Sequence, residues 1–102
     1  MLKIHKQFFA EEDLADIWLY SFEIQGERQA DKYYDELIKG MELLAYNPAL
    51  GVSCDHIREG YRRFKFNCHV VYYKVTESRL TIIRVLHERM EPAEHFNKPL
   101  KK

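Results

Sequence analysis

The sequence lacks most of what would place it in a familiar functional class. No apolar run comes near the roughly 18 residues that a membrane-spanning helix needs. The start, Met1-Leu2-Lys3-Ile4-His5-Lys6, has no apolar core of the kind a secretory leader carries, so the cytoplasm is the expected location. Cysteine is scarce: Cys54 and Cys68 are the whole supply, which excludes a disulfide scaffold and fits reduced thiols. The four glycines, at 26, 40, 51 and 60, stand alone, so there is no glycine-rich loop to cradle a phosphate. Cys54-Asp55-His56 and Cys68-His69 match no standard zinc spacing, and neither a metal nor a cofactor is expected. Repeats, low-complexity segments and linkers are absent. Net charge is absent too: 16 Lys and Arg balance 16 Asp and Glu, which removes the usual argument for a nucleic acid or an anionic membrane. With 102 residues the chain is one domain, 1–102, rather than two.

What is present is a globular composition, 46% apolar and 14% aromatic, with its charge unevenly laid out. Residues 1–51 carry ten acidic and five basic residues, whereas residues 52–102 carry six and eleven. An acidic front and a basic back are compatible with two solvated faces, or with a basic half that meets an acidic partner.

Periodicity divides the chain. Residues 2–8 read as a short strand, with Leu2, Ile4 and Phe8 apolar. Ala10-Glu11-Glu12-Asp13 puts acids where a helix dipole is positive, and Leu14, Ile17, Trp18, Ser21 and Phe22 follow at helical spacing up to Gly26. Trp18 is expected in the core between helices and sheet. A second helix spans Glu27 to Tyr46, with an apolar stripe from Ala30 through Tyr33, Leu37, Met41 and Leu44. Gly40 within it suggests close packing against the first helix, and Asn47-Pro48 stops it. The period then changes. Tyr61–Phe66, His69–Val75 and Leu80–His87 read as three strands of an antiparallel meander, the last apolar on both faces and therefore interior. Glu91–Phe96 is a helical turn, and Lys98–Lys102 a frayed tail. The fold class is α+β. An N-terminal strand and an antiparallel helical hairpin pack on a three- to four-stranded antiparallel sheet, leaving the far sheet face with aromatics interleaved among Arg and Lys.

The candidate chemistry is a set of Arg and His. Arg58, Arg62 and Arg63 precede or enter the first meander strand, and Arg84, His87 and Arg89 lie on or after the third. Adjacent strands can bring parts of these groups together. RNA cleavage would use His87 as acid or base and guanidiniums such as Arg62 and Arg84 on the phosphate. The structural alternative is that Arg84 pairs with a helix carboxylate and His87 ends a strand.

Several separated motifs, in order, resemble the ParE branch of the RelE/ParE toxin superfamily. They are Asp13-Leu14 with Ile17-Trp18 and Tyr20, then Gly26-Glu27-Arg28-Gln29-Ala30, then Leu44-Ala45-Tyr46-Asn47-Pro48-Ala49-Leu50-Gly51. Ile57 to Phe64 with His69 to Tyr73 follows, and then Ile83 to Glu91. The similarity covers about residues 8–96. It departs at the helix entry, Gln7-Phe8-Phe9-Ala10, and in the tail after Phe96. The resemblance implies the toxin of a type II toxin–antitoxin or plasmid-stabilisation module. Such a toxin binds DNA gyrase without turnover and is neutralised by a ParD-like antitoxin. It has no small-molecule substrate, no membrane partner and no sequence-specific nucleic-acid binding of its own. The target surface is then expected among Arg58, Arg62, Arg63, Arg84, His87, Arg89 and Met90, with the antitoxin surface unassigned. Relatives on the same fold are ribosome-dependent mRNA nucleases, and a third possibility is a non-toxic chain that only binds its antitoxin.

Overall fold

A computed structural model describes residues 1–96; the expected frayed tail lies outside the described residues. Strand β1 is Lys3–Lys6, helix α1 Phe8–Gln25 and helix α2 Glu27–Tyr46. A 3-10 turn at Pro48–Leu50 leads into β2, Val52–Ser53. Then come β3 (Arg62–Phe66), β4 (His69–Thr76), β5 (Arg79–His87) and the short helix α3 (Pro92–Phe96).

Helix α1 begins two residues before the expected Ala10. Gln7 gives it no side-chain cap, and Glu11 is the acid of its first turn. Gly26, at φ 91°, joins α1 to α2 in one residue, a conformation that suits glycine and lets the hairpin close so tightly. Helix α2 buries Ala30, Leu37, Gly40, Met41, Leu44 and Ala45, the stripe read from the sequence. Two-residue turns at Asn67-Cys68 and Glu77-Ser78 link β3, β4 and β5, with Asn67 and Glu77 both at positive φ.

The sheet has five strands in the order β1-β5-β4-β3-β2. It is larger than the three- to four-stranded sheet expected, and it is mixed. Strand β1 runs parallel to β5, pairing Lys3–Lys6 with Arg79–Ile82, because the helical hairpin returns the chain to the side it started from. The two-residue β2 extends the edge beside Arg62 and Arg63. Strand β5 is interior, as its two apolar faces require. A bulge shifts the β4–β5 register between Tyr72 and Tyr73, so Ile83 is left without a partner opposite it.

The main core lies between sheet and hairpin: Ala10, Leu14, Leu37, Met41 and Leu44 meet Val71, Tyr73, Leu80, Ile82 and Val85. Gly40 faces β3 rather than α1, since a Cβ there would run into the Phe66 ring. Trp18 is not core. It is half-buried between the helices, stacks on Phe22 at 5.3 Å and donates its indole N–H to Asp31 at 2.8 Å. The far sheet face is not bare either. Cys54, Tyr61, Val70, Tyr72, Ile83 and Leu86 form a second cluster there, covered by the 54–61 loop and by Phe96 of α3. Phe96 packs edge-on against both Tyr61 and Tyr72, at 5.5 and 5.2 Å. The helix side is the front of the sheet and this second cluster its rear.

Candidate functional site

The fold distributes the seven residues expected at the target surface over three environments. Arg84 is the most enclosed. Its guanidinium grips Asp13 of α1 through two contacts, Nε to Oδ2 at 2.8 Å and Nη2 to Oδ1 at 2.9 Å, and donates to the His95 carbonyl at 3.3 Å. Asp13 Oδ2 also accepts the Val85 backbone N–H at 2.9 Å. Beyond Lys6, β1 no longer covers the edge of β5, and Asp13 completes that edge in place of a strand. The two side chains are 18% and 13% exposed. The bond to Asp13 raises the Arg84 pKa further, so the charge is permanent and internal. Arg62 is likewise spent inside, donating to the Gly51 carbonyl at 2.6 Å and more weakly to Ala49 at 3.4 Å. It fixes the turn before β2 and does not face a partner.

Arg58 and Arg63 are exposed on the rear of the sheet. Arg63 stands opposite Tyr72 in the β3–β4 ladder, and the Arg58 guanidinium lies 6.0 Å from the centre of the Tyr61 ring. Lys74, two residues beyond Tyr72 on the same strand, brings its ammonium to 5.9 Å from that ring.

His87, Arg89 and Met90 sit at a third place, the exit of β5. Here a groove of about 460 Å³ opens between α1, the start of α2 and the β3–β4 turn. Its walls carry the apolar Ile17, Tyr20 and Met90 with Asp16, Ser21, Gln25 and Gln29 of the two helices among them, and its floor is Tyr33, Cys68, His69 and His87. Tyr20 and Met90 are large and exposed, 68% and 45%, as an unfilled apolar surface is.

The groove floor is a polar cluster that sequence reading missed. The Tyr33 hydroxyl and Nδ1 of His69 share a hydrogen bond at 2.6 Å, and the Cys68 thiol lies 3.6 Å from the same nitrogen. His69 meets His87 edge to face at 5.4 Å, and His87 Nδ1 accepts the Arg89 backbone N–H at 3.1 Å. With its Nδ1 accepting a backbone N–H, a neutral His87 carries its proton on Nε2. Burial holds His69 below the usual histidine value, and its neighbour His87 acts in the same direction. Burial, with the Cys68 contact added, pushes the Tyr33 phenol upward. The pairing of His69 with His87 is a register fact of β4 and β5, and the Cys68-His69 step beside Tyr33 on the helical stripe was the one signal available beforehand.

Among the described residues, no three His, Cys, Asp or Glu side chains gather in a way that could hold a metal ion. Cys54 and Cys68 are free, and the first lies in the rear cluster. No helix of the described residues is long and apolar enough to cross a membrane. The expected nuclease set is not assembled: Arg62 and Arg84 lie on strands separated by β4 and are spent on internal acceptors, which leaves His87 without a guanidinium clamp from them.

A two-layer α+β domain with one apolar groove and one basic rim is a protein built around its surfaces, the RelE/ParE-like arrangement. The family described as ParE toxin of type II toxin-antitoxin system, parDE, matches residues 2–92. A protein of Mycobacterium tuberculosis named Toxin ParE1 is 39% identical over 83 residues, 80% of this chain and 85% of that protein. Toxin ParE1 of Caulobacter vibrioides is 43% identical over 87 residues, 85% of this chain and 90% of that protein. The solved chromosomal ParDE toxin–antitoxin system of P. aeruginosa contains a chain with the same fold. Its TM-score is 0.75 at 17% identity, over 85% of this chain and 96% of the other. The chain belongs to the ParE toxin family of type II toxin–antitoxin systems.

Proposed function

We propose that this chain arrests growth in the bacterial cytoplasm by binding DNA gyrase, without turnover, and that a ParD-like antitoxin neutralises it. The observation that carries the non-enzymatic part is the commitment of Arg62 and Arg84 to internal acceptors, which removes them from any phosphate clamp. Membership in the ParE toxin family supports gyrase as the target and ParD as the partner. Contacts with gyrase or the DNA it holds then come from the exposed members of the expected set, Arg58, Arg63, Arg89 and Met90, with His87 beside them. The groove is the natural seat for an amphipathic antitoxin segment that orders on binding, because Ile17, Tyr20 and Met90 offer it an apolar surface beside polar partners.

One observation favours a second reading. His69 and His87 form an adjacent pair of titratable groups facing the groove, which is the acid–base equipment a ribosome-dependent nuclease would need. The test is growth arrest on induction for the unchanged chain and for His87→Gln, which keeps a hydrogen-bonding side chain but cannot titrate near neutral pH. Beside it runs a supercoiling assay with purified gyrase and a cleavage assay with translating ribosomes. The expected result is toxicity retained in His87→Gln and supercoiling inhibited. Toxicity lost in a folded His87→Gln, together with mRNA cut on the ribosome, overturns the gyrase reading. A general acid or base is typically worth about 10²–10⁴ in rate.

A further inference from the structure

The rear rim differs from the groove in a way that tells its partner's chemistry. Cross-strand neighbours share a face, so Arg63 (opposite Tyr72) and Lys65 (opposite Val70) lie with Lys74 on the rear. Tyr61 ties Arg58 and Lys74 to the same place. Along β3, Arg63 and Lys65 are two residues apart, about 7 Å. Among the described residues the ion pairs are Lys65–Glu88 and Arg84–Asp13, so Arg58, Arg63 and Lys74 have no carboxylate at ion-pair distance. Carboxylates bordering this face include Asp55, which accepts the Gly60 backbone N–H at 2.9 Å, the exposed Glu59 next to Arg58 in the same loop, and Glu91 near Tyr72. Lys65 is 61% exposed at its side chain and holds the Glu88 carboxyl below its usual value, a surface pair that a stronger anion can replace.

Under these cations the surface is closed. Tyr72 is 3% exposed and Tyr61 8%, both capped by Phe96. Protein partners draw most of their affinity from side chains seated in desolvated pockets, and this face has no such seat. Two grooves lie on other parts of the molecule: one at the β5 exit, and an outer cleft between the helices lined by Trp18, Asp31, Tyr34 and Asp35. The opposite layer is strongly acidic, since α1 and α2 together hold ten Asp and Glu against Arg28, Lys32 and Lys39. The resulting dipole turns the rear toward a polyanion.

We infer that the rear rim of Arg58, Arg63 and Lys74 binds the phosphodiester backbone of nucleic acid, without regard to sequence. The inference rests on the gyrase reading for its setting alone: gyrase handles DNA, and a toxin seated on it would lay this rim on the DNA. The binding itself requires no gyrase.

The experiment is fluorescence anisotropy of the purified full chain with a fluorescein-labelled 20-base-pair DNA duplex, in parallel with a single-stranded RNA of equal charge. Salt is varied from 25 to 200 mM. Three phosphate contacts give a log–log slope of about −2.7 on duplex DNA, an affinity loss of about 40-fold between 50 and 200 mM. Each of Arg58→Gln, Arg63→Gln and Lys74→Gln should flatten that slope by about 0.9, equally for unrelated duplex sequences. Lys32→Gln and Lys39→Gln on α2 should leave it unchanged. All five positions are at the surface or half-exposed, and melting curves check their folding. Tighter binding to the duplex assigns the rim to DNA, and tighter binding to the RNA moves the setting to the ribosome and overturns the gyrase placement. Absence of binding at 25 mM salt, equal loss in the α2 variants, or equal binding of poly-glutamate overturns the inference. If gyrase inhibition persists while DNA binding is absent, the inference fails and the gyrase reading stands. If DNA binds and supercoiling is untouched, the gyrase reading fails and the rim stands.

Discussion

Replacing Asp13 by alanine tests the most demanding electrostatic feature of the fold. The change removes both carboxylate oxygens that receive Arg84 at 2.8 and 2.9 Å and Val85 N–H at 2.9 Å. It leaves a guanidinium that is 18% exposed in its side chain without its counter-charge, and an edge N–H of β5 without an acceptor. Breaking a buried pair from one side costs about 3–5 kcal/mol, most of it the cost of the abandoned charge. Because the pair is not fully buried, and Arg84 keeps the His95 carbonyl at 3.3 Å, the lower end applies, about 3 kcal/mol. For a domain of this size that is a fall in melting temperature of roughly 12 °C or more. With a urea dependence of about 1.5 kcal/mol per molar, the midpoint should fall by about 2 M. Asp13→Ala combined with Arg84→Met should recover at least half of the loss, since the stranded charge is gone and a long apolar side chain can cover Phe9, whose ring now lies 5.5 Å below the guanidinium. Equilibrium urea unfolding of the unchanged chain, both single variants and the double variant supplies the cycle. A loss below about 1 kcal/mol in Asp13→Ala would refute the argument, and so would a double variant no better than the single one. By the same pairing, Arg84→Glu should lose activity through unfolding, not through repulsion at a target.

Gly40→Ala should cost about 1–3 kcal/mol by thermal melting, because its Cβ meets the Phe66 ring, and Gly40→Ala with Phe66→Leu should recover part of it. Trp18→Ala should cost less than the 3–5 kcal/mol of a core tryptophan, about 1–2 kcal/mol in a urea series, since the ring is half-buried and one face is already wet. Because His69 titrates below its unfolded value of 6.5, the folded state binds fewer protons. That contribution is fully present above about pH 6.5 and fades as pH falls through the lowered folded value. Urea midpoints of the unchanged chain should therefore drop between pH 7.5 and 5.5 by more than those of His69→Gln; equal drops would show that His69 is not the group responsible.

The chain's local order was written in its spacing. The α2 stripe, the stop at Asn47-Pro48, the one-residue joint at Gly26 and the paired turns of β3 to β5 are set by residues a few positions apart, so periodicity and turn chemistry sufficed to read them. So was the basic character of the back half. What depended on pairing across the chain was not legible. The parallel placement of β1, the short β2 and the bulge at Tyr72/Tyr73 are register choices, decided by packing between residues tens of positions apart. Arg58, Arg62, Arg63, Arg84 and Arg89 look alike as sequence, yet Asp13 and the Gly51 carbonyl take two of them out of circulation. Trp18 looked like core because aromatic residues on a helical stripe usually are, but the hairpin turns it toward Asp31. His69 and His87 are 18 residues apart and came together because β4 and β5 pair at that register. Residue identity alone determined which groups could titrate, stack or carry charge; the tertiary structure decided which of them face solvent, because burial and pairing belong to neighbours in space rather than in the chain.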